Sequence, residues 1–427
     1  LITKNKKYNF KEIAMDRRVV ITGIGAVSCV GNNVTDFWDA VVNGKCGIGT
    51  VDRFDVTPYR THVAGQIKDF DITKYVSVKD ARRLAPFCQY AIAAADEAVE
   101  SAGLERDLSN VNPERVGVIV SSGIGGIQAI EEQHKVLLNR GPDKVSPFLV
   151  PMMISDLASG NVSMRYGAQG PNMCIVTACA SATHSIGESF WMIKRGDADI
   201  MITGGAEAGV SPIAFAGFCS MKAMSQNHDP LKASRPFDAN RDGFVMSEGA
   251  GVLILEELEH AKKRGANILA EVAGYGASGD AHHITAPAPG GRGCIQALKV
   301  ALNHAKVPVY GMDYINAHGT STPLNDKFET MAYKAVFGEH AYKTPVSSVK
   351  GTIGHNLGAA GALETICCAK AIKESIMPPT INYETPDPEC DLDYTPNTAR
   401  EAKIDTALNL NLGFGGHNAV VILKKYK

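Results

Sequence analysis

The stretch "MCIVTACASATHSIG" (Met173–Gly187) sets one cysteine, Cys179, among alanines, serines and threonines where an apolar run gives way to helix-like sequence. The preceding "CIVTA" reads as a strand. The following "SATHSIGESFWMIKRG" reads as a helix, with Ile186, Phe190 and Ile193 near 3.6-residue spacing. A thiol at such a turn faces the positive end of a helix, which lowers its pKa and favours the nucleophilic thiolate. Ala178, Ala180 and Ser181 leave room for a sharp turn and for a substrate, an arrangement like a nucleophile elbow with Cys in place of Ser. The competing reading is a buried, inert thiol, which suits Cys174 in the apolar part of the run. Two further segments shift the balance. "NAHGTSTPLNDKFE" puts His318 at a strand end, followed by Gly319 and three hydroxyls. "SVKGTIGHNLGAAGALE" puts His355 before a small-residue helix, with Lys350 and Glu364 near it in sequence. A lone His beside glycine usually just hydrogen-bonds its loop. Two of them, in glycine loops at the strand ends where open α/β sheets gather their sites, fit covalent catalysis with imidazole support.

The elements that must position these groups occur twice. "VVITGIGAVS" (Val19–Ser28) resembles "LAEVAGYGAS" (Leu269–Ser278), each a β-type run ending in glycine and small residues. "VGVIVSSGIGG" (Val116–Gly126) parallels "MDYINAHGTST" (Met312–Thr322). Cys179 and its helix parallel His355 and its helix. "EGAGVLILEE" (Glu248–Glu257) parallels "FGGHNAVVILKK" (Phe414–Lys425). Four correspondences in one order imply a duplicated α/β unit, and fully apolar strands such as "ADIMITGG" (Ala198–Gly205) imply sheets covered on both faces. The expected halves are 15–265, carrying the cysteine, and 266–427, carrying the histidines. They divide near "AKKRGAN" (Ala261–Asn267) with no Pro-rich or Ser-rich linker. Residues 1–14 are expected to be a leader left from cloning or a disordered extension, with Met15 as the start.

Composition narrows the function. A chain of 427 residues that is 45% hydrophobic can bury a large core. A formal net charge of −2 gives no strong pull toward nucleic acid. With no apolar run of about 18 residues, no membrane span is expected, and the lysine-rich first fourteen residues lack a signal core. Ten cysteines without a CxxC pair read as reduced thiols in a cytoplasmic protein. Cys367 and Cys368 read as packing. His282 and His283 lack the further ligands that a zinc site needs, so no metal is expected.

Taken together these segments resemble the β-ketoacyl-acyl-carrier-protein synthases, the condensing enzymes of fatty acid synthesis, over essentially the whole chain from about Arg17. Gly170–Ile186 resembles their active-site cysteine signature, and "NAHGTSTP", "GTIGHNLGAAGALE" and "GFGGHNAV" (Gly413–Val420) resemble their other motifs. The likeness is greatest to the second synthase type. It implies a thiolase-like fold, duplicated α/β halves in five αβαβα layers, and a homodimer. It implies that Cys179 accepts the acyl group, and that His318 and His355 handle malonyl decarboxylation. It further implies that Lys350 supports this pair with Glu364 as its counter-charge, and that Phe414 gates the site. Thr320 and Thr322 would hold the phosphopantetheine arm. Ile124 and Phe218 would wall the acyl pocket. Lys79, Arg82, Arg83 and Lys222 would dock the acidic acyl carrier protein. His417 stands where many relatives have Thr and reads as a loop hydrogen bond.

The implied reaction transfers an acyl group to Cys179, then condenses it with malonyl-acyl-carrier protein to give 3-oxoacyl-acyl-carrier protein and CO2. It needs no metal and no resident cofactor, because the phosphopantetheine arm arrives with the carrier protein. A degradative thiolase would need a second cysteine in the "GFGGHN" turn, and an acetyl-CoA-priming synthase would have Asn in place of His355. A non-catalytic chain-length partner would lack Cys179. A polyketide ketosynthase shares the Cys-His-His set and stays open on sequence alone.

Overall fold

The apolar runs of the two halves become nine strands of one mixed sheet in a computed structural model that describes residues 17–427. The expectations for residues 1–14 and for a start at Met15 lie outside the described residues. In chain order the strands are β1 (Val19–Ser28), β2 (Val116–Ser121), β3 (Ile200–Glu207), β4 (Gly249–Glu257), β5 (Ala270–Gly279), β6 (Tyr314–Asn316), β7 (Val346–Ser347), β8 (Thr406–Gly413) and β9 (His417–Lys424). The helices that frame the site are α1 (Pro86–Ser101), α2 (Leu157–Tyr166), α3 (Ser181–Arg195), α4 (Arg292–Ala305), α5 (Pro323–Phe337) and α6 (Ala360–Glu374).

Across the sheet the order is β2-β3-β4-β1-β5-β9-β8-β6-β7. Read outward from the centre, β1-β4-β3-β2 repeats as β5-β9-β8-β6, so the two halves share one strand order. They join where Val19–Ile21 of β1 pair antiparallel with Ala270–Val272 of β5. Alternate side chains explain the layers. In the first half Val118, Ile202 and Val252 pack outward under α1 and α2, while Ile119, Met201 and Leu253 face inward. In the second half Ile315, Leu408 and Ile422 face outward with the residues of α4 and α5, while Tyr314, Ala407 and Val421 face inward. Helices α3 and α6 lie between and touch strands of both halves. The result is the five-layer αβαβα arrangement of the thiolase-like fold. Gly361 lets α3 and α6 cross closely: a Cβ there would stand 2.0 Å from Thr183 Oγ1.

One expected strand is not built. In "CIVTA" the chain runs extended beside β2, with a single parallel bridge between Val118 and Asn172. Beyond Met173, whose amide reaches Val118 O, side chains take over the pairing. Ile175 N donates to Ser121 Oγ at 2.9 Å, and Thr177 N to Ser181 Oγ at 2.9 Å. The repeat also has a shifted register. The 3-10 turns Ala178–Ala180 and Leu357–Ala359 each open on a left-handed residue, with φ of 51° at Ala178 and 47° at Leu357. The mate of Cys179 is therefore Gly358, and His355 lies three residues upstream of it. No helix among the described residues is long and apolar enough to cross a membrane.

Candidate active site

Cys179 sits in the 3-10 turn that feeds α3, at the floor of a cavity of about 690 Å³. The end of β8 presses against this turn. A Cβ on Gly413 would meet Thr177 O at 2.5 Å and Cys179 N at 3.3 Å, so glycine permits the approach. Contrary to the helix-end argument, burial pushes the Cys179 thiol up to about 12. The Lys350 charge and the amides of Phe414 and of Cys179 itself pull the other way and are outweighed. Removing a thiolate from water costs more than the turn's dipoles return. Cys179 is thus held as a thiol, with a base beside it: Sγ lies 3.1 Å from His355 Nε2.

His355 is fixed by its backbone, whose N–H donates to Val245 O at 2.7 Å, and by Phe244, whose ring meets the imidazole edge-on at 5.3 Å. His318 stands beside it, ring centroids 5.3 Å apart and nearly perpendicular. Both rings are buried. Desolvation first, and the nearby Lys350 charge second, hold both well below the ordinary histidine range, so both are neutral near neutral pH. The His318 tautomer follows from Asn411. Its Oδ1 accepts from Asn409 Nδ2 and Thr183 Oγ1, so its Nδ2 points to Glu364 Oε2 at 2.7 Å and to His318 Nδ1 at 3.3 Å. An amide N–H at Nδ1 leaves the His318 proton on Nε2. Lys350 and Glu364 form a fully buried ion pair behind the two rings.

The cavity brings together Cys179, His318, His355, Phe414, Thr320, Thr322, Phe218 and Lys222. Thr320 and Thr322 share a hydrogen bond of 2.9 Å on its wall. Phe414 leans toward Phe218 at 6.4 Å. Lys350 and Glu364 stand behind this wall. Ile124 does not line the cavity either; it packs in the apolar cluster that holds Cys179, Leu357, Val210 and Phe218. Lys222 is exposed at the mouth. Lys79, Arg82 and Arg83 are exposed but off the lining, with Arg83 over the Phe148 ring at 4.7 Å. His283 Nδ1 accepts from the amides of Thr285 and Ala286, each at 3.1 Å. Among the described residues no cluster of three or more His, Cys, Asp or Glu could hold a metal ion.

Three functional positions escaped the sequence reading. Asn411 links His318 to Glu364. Glu329, on α5, accepts from the amides of His318 (2.7 Å) and Gly319 (2.8 Å). Glu207, at the end of β3, does the same for the loop after β2. A signal existed for the first: "NLNLG" alternates Asn409 and Asn411 with leucines, and in a strand covered on both faces a polar alternation must point at partners.

A duplicated αβαβα fold with a thiol and two neutral imidazoles at the ends of its strands defines the class of thiolase-like acyl-transferring enzymes. The model of the beta-ketoacyl synthase N-terminal domain matches residues 16–261 and that of its C-terminal domain residues 269–384, and the chain belongs to the beta-ketoacyl synthase family. It is 51% identical to 3-oxoacyl-[acyl-carrier-protein] synthase 2 of Staphylococcus aureus strain N315, over 97% of this chain and 100% of that protein. The synthase 2 of Synechocystis is 48% identical, over 96% and 99%. Among solved structures, a type II polyketide ketosynthase in complex with its acyl-carrier protein is 35% identical, with a TM-score of 0.88 over 96% of this chain and 100% of that one.

Proposed function

We infer that this chain is a condensing enzyme of fatty acid elongation, a 3-oxoacyl-[acyl-carrier-protein] synthase of the second type. The observation that carries the reading is the Cys179 Sγ to His355 Nε2 contact of 3.1 Å in the cavity that His318, Thr320 and Thr322 also line. The identities of 48–51% with curated synthase 2 proteins, against 35% for the polyketide ketosynthase, favour fatty acid over polyketide chemistry.

In the first half-reaction Cys179 Sγ attacks the acyl thioester carbonyl. His355 takes the thiol proton and returns it to the departing pantetheine thiol. The amides of Cys179 and Phe414 bond the tetrahedral oxyanion, donors fixed before charge develops. Exchange between two thioesters is nearly isoenergetic. In the second half-reaction the malonyl C–C bond breaks and CO2 leaves with no electrons gained. The electron pair stays on the thioester as an enolate, whose oxygen accepts an N–H bond from His318 Nε2 and, in the tautomer that carries its proton on Nε2, from His355. The enolate carbon attacks the acyl carbonyl, the C–S bond to Cys179 breaks, and the expelled thiolate takes up one proton from solvent to restore the thiol. The Lys350–Glu364 pair keeps both imidazoles neutral and oriented, and the Thr320 and Thr322 hydroxyls hold the pantetheine arm. No resident cofactor or metal is needed, since the carrier protein brings its own arm.

The working unit is proposed to be a cytoplasmic homodimer of two-part chains, 15–265 and 266–427, in which all ten cysteines stay free. Met173 and Val176 are exposed in the segment that runs beside β2, which supports a subunit contact there. Acyl carrier protein is the proposed partner, met by Lys222 at the mouth and by Lys79, Arg82 and Arg83. Cys179→Ala is expected to abolish the acyl adduct seen by mass spectrometry after incubation with acyl carrier proteins, yet to keep some malonyl decarboxylation because both histidines remain. An adduct that persists on another cysteine would overturn the assignment.

A further inference from the structure

The two halves handle one matching amide differently. In the first, the amide of Cys179 points at the reacting centre, joined there by the amide of Phe414 from the second half. In the second, the amide of Gly358, the mate of Cys179, donates to Glu207 Oε2 at 2.9 Å. Glu207 ends β3 and is wholly buried. The same Oε2 accepts from Gly123 N at 2.8 Å, while Oε1 accepts from Ser122 Oγ at 2.7 Å and Ile124 N at 3.2 Å. The carboxylate thus fills the repeat's second oxyanion position and ties two segments together. One is the loop that carries Ile124. The other is the left-handed Leu357–Gly358 turn, and Leu357 lines the cavity. The two segments are pressed so tightly that a Cβ on Gly358 would lie 2.3 Å from Gly123 N.

We infer that Glu207 is a positioning residue that sets which acyl chains can load, by clamping the Ile124 loop to the Leu357–Gly358 turn. This rests on the reading of Cys179 as acyl acceptor. Ile124 is absent from the cavity lining and packs in the apolar cluster that holds Cys179 and Leu357. A short tail fits in front of that cluster; a long one must push Ile124 aside. Displacing Ile124 strains the bonds that Glu207 makes to its loop, and bonds to an ionised acceptor are the strong ones. Glutamine keeps the shape but has one acceptor oxygen, and its NH2 would face amides that also donate. At least one backbone donor then loses its acceptor, and the wall moves more easily.

The test is the ratio of hexadecanoyl to hexanoyl adduct on Cys179, read by mass spectrometry after incubation with the two acyl carrier proteins. In Glu207→Gln that ratio should rise about tenfold, the effect of losing one charge-assisted hydrogen bond from a two-state wall. Uniform destabilisation would lower both adducts together and leave the ratio alone. In an Ile124→Ala background, where the wall is already gone, adding Glu207→Gln should change nothing. An unchanged ratio in folded Glu207→Gln, or the same rise on top of Ile124→Ala, overturns the proposal. If Glu207→Gln does not fold, Ser122→Ala removes a single donor and should move the ratio the same way; no movement overturns it equally. Failure of the underlying reading looks different, because the parent itself would then carry no hexanoyl group on Cys179.

Discussion

His355 touches Cys179 through Nε2 and presents its ring to His318, so its two proposed tasks can be separated by half-reaction. Removing one donor to a developing oxyanion typically costs about 10²–10³ in rate. His355→Ala should therefore suppress CO2 release from malonyl carrier protein by about that factor, and acyl loading by less, because thioester exchange keeps its own amide donors. Measuring both half-reactions on one preparation decides it; equal losses in the two would refute the split. The residues proposed for chemistry were legible because their types are rare in such surroundings: a thiol among small residues, imidazoles in glycine loops. Glu207 and Glu329 were not, because their value lies in what they touch, and Asn411 showed only in the polar alternation of its strand. An acidic residue at the end of an apolar strand such as "IMITGGAE" looks like a solvated strand end until the fold brings three amides and a hydroxyl to it. The direction of the Cys179 shift was misread for the same reason, since local sequence shows the helix end but not the depth of burial.

Each loop that bears on the site is held by an element from elsewhere in the chain. Glu329 projects from α5 to bond the amides of His318 and Gly319, with Tyr333 OH donating to it at 2.6 Å. Burial raises its carboxyl to about 7 from an ordinary 4.5. Between those values the folded chain keeps a proton that the unfolded chain has released, so stability is greatest below about pH 4.5 and declines as pH rises toward 7. The contribution lost across that window is about 3 kcal/mol. Glu329→Gln cannot titrate. The stability of the parent relative to this variant should therefore fall by about 2 kcal/mol between pH 5 and pH 7 in urea melts; a flat difference would show that Glu329 is ionised throughout. The elements themselves were readable where apolar runs were continuous and buried on both faces, as in β3, β4 and β9. The strand expected at "CIVTA" was not formed because Ser121 and Ser181 take its amides, a competition between side chain and ladder that an apolar pattern does not reveal.

At the scale of the whole molecule, duplication gives two sets of loops and one reactive site. The repeat was visible in four paired segments, yet its register was not. Only the matched left-handed turns at Ala178 and Leu357 show that Cys179 faces Gly358 across the central helices. The outer surface was legible only as charge. Lys222 is exposed on the cavity lining, whereas Lys79, Arg82 and Arg83 cluster at a short helix away from it, beside the exposed Phe148. A carrier protein that spans both patches would meet the mouth cation through its arm-bearing end and the outlying three by long-range attraction. Such rim charges act on encounter and are screened by salt over about 10 Å at 0.1 M. Arg82→Glu with Arg83→Glu should therefore raise KM for carrier-bound substrate on the order of tenfold at low ionic strength, leave kcat near the parental value, and lose most of its effect in high salt. Arg82→Glu alone, which leaves the Arg83–Phe148 contact in place, should show the same salt dependence at smaller size. A KM unmoved at low salt would show that this basic face is solvated surface and that docking relies on the mouth alone.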